Sequence, residues 1–206
     1  MTPKPLPRSF YEPSADRVAP QLLGHWLVRK FPGGICGGEI VEAEAYLTDD
    51  PACHAFRGCT PRNRIMFGEP GHAYVYFIYG CHFCVNAVCQ PEGTGEAVLI
   101  RAIEPSIGQE ILRKNRTSVQ TRNLTNGPGK ISQAMQIDRR LDGVDLCDPG
   151  SLLMIAANPQ RETFRKKNGP ILSSSRIGLT RAANARLRFF LARSSCISRG
   201  KSVEFI

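Results

Sequence analysis

An uncharged stretch at residues 73–90 constrains the fold of this chain more than any other feature. It falls short of the ~20 apolar residues that a membrane-spanning helix needs, and it contains Tyr, His and Asn side chains. Tyr79 and Gly80 form a turn signal between two strand-type runs, 73–78 and 83–88. The stretch therefore predicts a β-hairpin in the core of a sheet.

A second strand is predicted by strict alternation in residues 39–47. Its apolar odd-numbered residues from Val41 onward are expected to face the core, which leaves Glu42, Glu44 and Tyr46 on the opposite face. Residues 15–30 are predicted to form a helix and then a strand, and residues 48–71 a long loop with a short helix near 63–67. A buried strand is predicted at 97–103, followed by two helical pieces in 106–137 that are broken at 126–129. Residues 157–175 are predicted to be polar and irregular, and residues 186–192 to form a closing strand. This mixture of clustered strands and helices predicts an α+β protein with an antiparallel-rich sheet.

The length and composition favour one globular domain over residues 1–206, with residues 1–12 as a loosely ordered lead-in. The N-terminus lacks the apolar core of a signal peptide, so we expect an intracellular protein in which the cysteines are reduced. Cys81 and Cys84 have a spacing that zinc sites use, but no second pair with metal-ligand spacing follows. Buried structural cysteines are therefore favoured over zinc.

Positive charge is concentrated in the second half of the chain. Residues 1–110 hold 9 basic and 12 acidic side chains, whereas residues 111–206 hold 18 basic and 6 acidic side chains. Such an asymmetry favours a polyanionic partner, with nucleic acid ahead of a membrane surface, over a merely soluble basic surface.

The segment Asn126–Lys130 resembles part of a phosphate-binding loop. The complete loop motif requires a glycine where this chain has Leu124, and a serine or threonine where it has Ile131. The segment therefore does not predict a nucleoside triphosphate site. It predicts at most a helix N-terminus with a nearby lysine that holds one backbone phosphate.

Two carboxylates and a group of aromatic residues are the strongest candidates for chemistry. Glu42 and Glu44 are expected to lie about 6.5–7 Å apart on one strand face, a separation that inverting glycosidases use. Four of the five tyrosines fall within residues 46–79, where their rings suit binding of a planar or cationic base. Arg101 interrupts an apolar strand; either it pairs with a carboxylate, for which we expect Glu44, or it points to solvent from an edge strand.

A series of longer motifs runs in order along most of the chain. They are EIVEAEAYL (39–47), His54, TPRNRIMF (60–67), PGHAYVYFIYG (70–80), FCVN (83–86), AVLIRAIEP (97–105), LTNGPGK (124–130), RIGL (176–179) and LRFFLARS (187–194). From about residue 10 to near the C-terminus, the chain thereby resembles the alkyladenine DNA glycosylases, also called 3-methyladenine DNA glycosylases. The resemblance implies a curved antiparallel-rich sheet flanked by helices, in a monomer.

The resemblance also implies a role in base excision repair. Such an enzyme flips an alkylated or deaminated purine (3-methyladenine, 7-methylguanine, hypoxanthine or ethenoadenine) out of double-stranded DNA and hydrolyses its N-glycosidic bond. It leaves an abasic site and uses no metal or cofactor. Because no lysine is placed to form a Schiff base near the aromatic cluster, we expect a monofunctional glycosylase without strand cleavage.

The resemblance also implies roles for individual residues. Glu44 is expected to act as the general base that activates water, with Arg101 and the carbonyl of Ile177 positioning that water. Tyr46, His54 and Tyr76 are expected to line the base pocket, and Asn86 to exclude normal guanine from it. Tyr79 is expected to fill the gap that the flipped base leaves in the duplex. The positive charge of the second half of the chain, rather than the resemblance, leads us to expect phosphate contacts from the basic residues Lys130, Arg165, Lys166, Lys167, Arg181 and Arg186.

Two alternatives remain at this point. A non-catalytic module that binds damaged DNA on the same fold would need the basic half but not the carboxylates. A carbohydrate hydrolase would use Glu42 and Glu44 as an acid–base pair but would not need the basic half, because its substrate is neutral.

Overall fold

A computed structural model describes residues 3–116 and 120–198 of the protein. The helices of this part are α1 (Ala15–Leu22), α2 (Gln109–Asn115), α3 (Thr121–Leu124), α4 (Pro128–Ala134) and α5 (Arg161–Asn168). The strands are β1 (Trp26–Phe31), β2 (Gly34–Tyr46), β3 (Ala73–Ile78), β4 (His82–Cys89), β5 (Glu96–Ile107), β6 (Leu153–Ala156), β7 (Ile171–Ser174) and β8 (Arg188–Leu191). Single 3₁₀ turns occur at Arg8–Phe10, Arg64–Phe67 and Arg139–Leu141.

The strands form one antiparallel sheet in which β2 is the central member. The main path runs β3-β4-β5-β2-β1-β6, and the β7–β8 pair joins through β8 to β2. Because β2 is 13 residues long, its first half pairs with β1 while residues 42–44 pair with β8, and its other edge pairs with β5. This arrangement confirms the α+β fold with an antiparallel sheet that the sequence predicts.

The two faces of the sheet bury two separate hydrophobic clusters. Ala43 and Ala45 of β2 pack into the main core together with α1 and α4, as the alternation in residues 39–47 predicts. A second, smaller cluster from β3, β4 and β5 lies on the other face, and Tyr74 and Tyr76 belong to it. The uncharged stretch 73–90 becomes the β3–β4 hairpin, and no helix of the described part is long and apolar enough to cross a membrane.

The prediction of a loose N-terminal segment is wrong for the residues that the structure describes. Pro5 forms a bridge with Ala156 at the β6 edge, and the Leu6 amide donates to the Ile155 carbonyl at 2.9 Å. Tyr11 is fully buried in the main core. The segment is therefore held by pairing with a strand some 150 positions later, which a local sequence pattern does not reveal.

Two other predicted segments also differ from the structure. Residues 106–137 contain three short helices instead of two pieces, since α3 precedes the break at 126–129. Residues 157–175, predicted to be irregular, contain α5 and β7. Helix α5 has little apolar periodicity. Its Phe164 packs against the main core, and the Arg161 guanidinium donates to the carbonyls of Gln21 and Leu23.

His25, immediately before β1, is expected to make the stability of the fold sensitive to acid. Burial, reinforced by the positive charges of Arg161 and Arg165, lowers the pKa of His25 to about 4. The folded protein holds His25 neutral, while in the unfolded chain its pKa is about 6.5. The stabilisation of the folded state by neutral His25 is therefore complete above pH 6.5 and is lost as the pH falls toward 4. We expect His25 to reduce the free energy of unfolding by roughly 1 kcal/mol between pH 7 and pH 5.5.

Urea unfolding at a series of pH values tests this expectation. A His25→Gln variant should lose about that part of the acid dependence, while His82→Gln, at an exposed position of the hairpin, should retain it. Equal pH slopes for the His25→Gln variant and the wild type would contradict the assignment.

Candidate active site

The candidate site lies on a row of side chains that crosses five strands. Tyr74, Asn86, Leu99, Glu44 and Arg188 stand opposite one another in register on β3, β4, β5, β2 and β8. Neighbouring strands are about 4.8 Å apart, so the row places residues from five parts of the chain side by side on one face. The sheet register therefore brings Glu44 next to the aromatic hairpin that precedes β5.

A β-bulge directs Arg101 into this row. On β2 and β5, Glu42 pairs with Ala102 and Ala43 pairs with Ile100, which leaves Arg101 as an extra residue on β5. Bulges often re-aim a side chain next to a functional site. The Arg101 guanidinium donates from Nε to Glu42 at 3.0 Å and from Nη1 to Glu44 at 3.2 Å. The predicted pairing with Glu44 is confirmed, and Glu42 is a second partner.

Glu44 is fully buried and accepts three hydrogen bonds in the described part of the chain. One oxygen, Oε1, accepts from the Ile177 amide at 2.9 Å. The other, Oε2, accepts from the Tyr46 hydroxyl at 3.0 Å and from Arg101. Burial alone would lower the pKa of Arg101, but the carboxylates of Glu44 and Glu42 outweigh it and raise that pKa, so the guanidinium stays charged. The structure thus brings together Glu44, Arg101 and Ile177.

Glu42 has a structural importance that the sequence analysis missed. Its carboxylate is fully buried and accepts from Arg101, from Arg188 Nε at 2.7 Å and from the Ser198 amide. Glu42, Glu44, Arg101 and Arg188 therefore form a buried cluster of two negative and two positive side chains. Arg188 interrupts the apolar run LRFFLA just as Arg101 interrupts AVLIRAI, and the same argument for a buried charge could have identified it.

An aromatic cavity of about 270 Å³ opens beside this cluster. That volume is close to the lower end of the range for small-molecule sites and suits a single planar base. The predicted pocket residues Tyr46, His54, Tyr76 and Asn86 all line it, and Tyr74 is a further aromatic wall residue. Arg101 and Ile177 also reach the cavity wall.

The aromatic rings of the cavity are held in fixed relative positions. His54 meets Tyr76 edge-on at a centroid distance of 4.6 Å, and its Nδ1 hydrogen-bonds the Tyr74 hydroxyl at 2.9 Å. Burial, with a smaller effect of the Arg62 charge, lowers the pKa of His54, so its ring is neutral near neutral pH. Asn86 donates its amide to the Tyr74 carbonyl at 3.0 Å, which fixes its orientation in the wall.

A buried ion pair outside this cluster, between Arg176 and Asp50, lies next to Tyr46 and was not predicted. Arg176 donates to the Ala45 carbonyl and pairs with Asp50 of the loop that carries His54. The Arg176 guanidinium also lies over the Tyr46 ring, 4.6 Å from its centroid. One face of Tyr46 is therefore covered by a cation, and the opposite face is the one available to a bound base.

Tyr79 is at the tip of the β3–β4 hairpin, beside the mouth of the cavity. Its side chain is 77% exposed, and both Tyr79 (φ 53°) and Gly80 (φ 68°) have left-handed backbone conformations. The Cys81 amide donates to the Ile78 carbonyl, so these two residues are the central pair of a β-turn. With both central residues left-handed, such a turn usually has Asn or Gly first, and a tyrosine there is unfavourable. The conformation presents a large aromatic ring to solvent at the rim of the pocket.

The sequence comparisons agree with this geometry. The family model for methylpurine-DNA glycosylase matches residues 9–195. The chain belongs to the methylpurine-DNA glycosylase family. A relative from Methanoculleus marisnigri is 46% identical over 94% of this chain and 98% of its own length. Another from Mesorhizobium japonicum is 44% identical over 97% of this chain and 93% of its own length. Both bear the name "Putative 3-methyladenine DNA glycosylase".

The basic residues that were predicted to contact phosphates do not all lie near the aromatic cavity. Lys130 lines a second, polar cavity that shares Arg101 with the first and also contains Arg122. Arg181 is exposed four positions after Ile177, and Arg186 is exposed before β8.

Arg165, Lys166 and Lys167 lie elsewhere, on α5. Arg165 packs against Gly24, whose amide bonds to Ile40, four residues before Glu44 on β2. That spacing corresponds to about 13 Å along the strand. Arg165 therefore lies beside the segment that leads into β1, and none of these three residues lines the cavity.

Cys81 and Cys84 do not form part of a group of metal ligands in the described residues. Cys84 lines the aromatic cavity, whereas Cys81 is exposed at the hairpin turn. Across residues 3–116 and 120–198, no three His, Cys, Asp or Glu side chains are placed to share a metal ion. In this glycosylase family member the two cysteines belong to the β3–β4 hairpin.

Proposed function

We propose that the protein is a monofunctional DNA glycosylase that excises alkylated or deaminated purines from double-stranded DNA. The observation that carries this proposal is the position of Glu44, a carboxylate held by three donors directly behind an aromatic cavity. Glu44 acts as the general base of hydrolysis, and the products are the free base and an abasic site. Arg101 and the Ile177 carbonyl position the attacking water.

The aromatic walls suit damaged purines in particular. An N-alkylated purine is often cationic, and each tyrosine face attracts such a ring by about 0.5–2 kcal/mol. A cationic base is also an activated leaving group, so the reaction needs little general acid. His54, which is neutral near neutral pH, adds no opposing positive charge to the cavity. The same cavity thus binds the damaged base after it has left the duplex and holds it while its bond to the sugar is cleaved.

The transition state of N-glycosidic cleavage carries positive charge on the sugar. A carboxylate near the sugar stabilises that charge and removes the proton of the attacking water. Arg101 pairs with both carboxylates and Arg188 pairs with Glu42, so the four side chains together carry no net charge. Glu44 is the carboxylate of this cluster whose three partners all line the cavity. No lysine lines the cavity in the described residues, which favours hydrolysis by water over a Schiff base with strand cleavage.

The contacts of Glu42 argue against a carbohydrate hydrolase. An acid–base pair needs both carboxylates open to a substrate between them. Glu42 is fully buried, and its two oxygens bind two arginines and a backbone amide. Glu44 is equally buried, so the two carboxylates do not face a common substrate. All three residues bound to Glu44 line the cavity, whereas of the three bound to Glu42 only Arg101 does.

Excision from a panel of damaged duplexes tests the proposed function. We expect the wild-type protein to release hypoxanthine, ethenoadenine, 3-methyladenine or 7-methylguanine and to leave alkali-sensitive sites only at the damaged position. Strand cleavage without alkali would contradict the monofunctional mechanism. Tight binding of the same duplexes without any abasic product would instead favour a non-catalytic damage-binding module.

Tyr79 should matter for duplex substrates only. A ring inserted into the stack compensates the few kcal/mol of unstacking that base flipping costs. We expect Tyr79→Ala to lower the excision rate from duplex DNA by about tenfold or more and to leave excision from a single-stranded oligonucleotide nearly unchanged. Equal losses on both substrates would contradict the wedge role. Because the side chain is exposed, the melting temperature should stay within the wild-type range.

A further inference from the structure

Arg176 places a buried positive charge directly behind one wall of the aromatic cavity. Its side chain has no solvent-exposed surface, and its guanidinium carbon lies 4.6 Å from the centroid of the Tyr46 ring. Tyr46 lines the cavity, whereas Arg176 is not among the described residues that do. The guanidinium therefore covers the face of the ring that is turned away from the cavity. Tyr74 and Tyr76 have no such arginine in the described part of the chain.

The charge of Arg176 is only partly compensated by its surroundings. Its Nη1 donates to Asp50 and to the Ala45 carbonyl, whereas Nε and Nη2 have no partner in the described residues. Burial alone would lower the pKa of Arg176, but Asp50 and other nearby groups outweigh it and raise that pKa, so the guanidinium is charged. The same charge acts to lower the pKa of Tyr46, against the larger effects of burial and of Glu44. The Tyr46 ring thus lies in the field of a charged guanidinium.

A charge in this position distinguishes damaged bases by their own charge. A base stacked on the free face of Tyr46 has its centre roughly 9 Å from the guanidinium, because stacked rings are about 4.5 Å or more apart. The space between them holds a buried side chain instead of water, so the repulsion of a cationic base is little screened. The guanidinium also interacts with the ring quadrupole that would otherwise attract a cation. A neutral base such as hypoxanthine or ethenoadenine experiences neither effect.

We propose that Arg176 is a specificity-determining residue that shifts excision from cationic purines, such as 7-methylguanine, toward neutral ones; this inference rests on the proposed glycosylase function. Arg176 does not line the cavity, so it acts through the Tyr46 ring. Asp50 sets the strength of the effect, because its carboxylate offsets part of the Arg176 charge. The ion pair thus adjusts how strongly the Tyr46 wall attracts a cation.

The ratio of single-turnover excision rates for 7-methylguanine and hypoxanthine duplexes measures this preference, after subtraction of spontaneous depurination. Asp50→Asn leaves the Arg176 charge uncompensated and should lower the ratio by about threefold or more. Addition of Arg176→Gln to Asp50→Asn removes the charge over the ring and should raise the ratio about twofold or more above the wild-type value. A purely structural role would not change the ratio in opposite directions. The matched control combines Asp138→Asn with Arg140→Gln, which removes an exposed ion pair and should retain the wild-type ratio.

Base analogues of the same shape test the inference without catalysis. 7-Methyl-7-deazaguanine resembles 7-methylguanine but is neutral, and a 2′-fluorinated nucleotide protects 7-methylguanine from hydrolysis. At slightly acidic pH, the ratio of the affinities for the cationic and the neutral duplex should change in the same two directions. Unchanged ratios, or shifts of one sign in both variants, would overturn the role of Arg176. A wild-type protein that excises no lesion would instead refute the proposed function, while the affinity ratios would still decide on Arg176.

Discussion

Replacement of Glu44 by glutamine is expected to lower the single-turnover rate of base excision by at least about 100-fold. The amide has nearly the shape of the carboxylate but accepts no proton, and it brings no negative charge to the sugar in the transition state. It also places an N–H group among the donors of Tyr46, Arg101 and Ile177, so at least one of these loses its acceptor. Binding of the damaged base depends on the aromatic walls and should persist.

The measurement is alkali cleavage of a damaged duplex after reaction with excess protein. Lesion affinity, measured with the same duplex, shows that the Glu44→Gln protein is folded under the conditions of the assay. Glu92→Gln, at an exposed position, serves as the matched control and should be fully active. A Glu44→Gln protein as active as wild type would refute the role of Glu44 as the general base.

The second large effect concerns stability. We expect Glu42→Gln to lower the free energy of unfolding by about 3–5 kcal/mol, because it leaves Arg101 and Arg188 buried with only one carboxylate between them. Both guanidinium groups are nearly inaccessible to solvent, so water cannot replace the lost partner. Urea unfolding followed by circular dichroism measures the difference.

A surface ion pair provides the comparison for Glu42. Asp138 pairs with Arg140, whose side chain is 84% exposed, and exposed pairs contribute at most about 1 kcal/mol. Asp138→Asn should therefore change the free energy of unfolding by much less than Glu42→Gln. Similar losses for the two variants would show that the buried charge cluster is not a main source of stability.

The strands were predictable where their patterns are local. Alternation in residues 39–47, the uncharged hairpin at 73–90 and the apolar run around Arg101 each show their strand character within a few residues, and the structure has strands at all three places. The resemblance, which rests on the order of the motifs, also pointed to Tyr46, His54, Tyr76 and Asn86, which line the cavity in the structure. The DNA contacts assigned to individual basic residues remain predictions.

Long-range pairing explains what the sequence did not reveal. The segment around Pro5 is ordered by β6, and α5 is held by backbone carbonyls near Leu23. Arg176 and Asp50 are 126 positions apart, and the short turn that contains Asp50 gives no indication of a buried pair. The basic excess of the second half is also only partly a surface property, since Arg176 and Arg188 are buried.

The buried ion pairs have a consequence for the order in which the site is assembled during synthesis. Glu42 and Glu44 leave the ribosome early, but Ile177 and Arg188, which complete their hydrogen bonding, follow more than 130 positions later. Contacts of such sequence separation form late in folding because the intervening chain must first be closed into a loop. A nascent chain thus lacks part of the hydrogen bonding of both carboxylates until the segment around Ile177 and strand β8 dock beside β2.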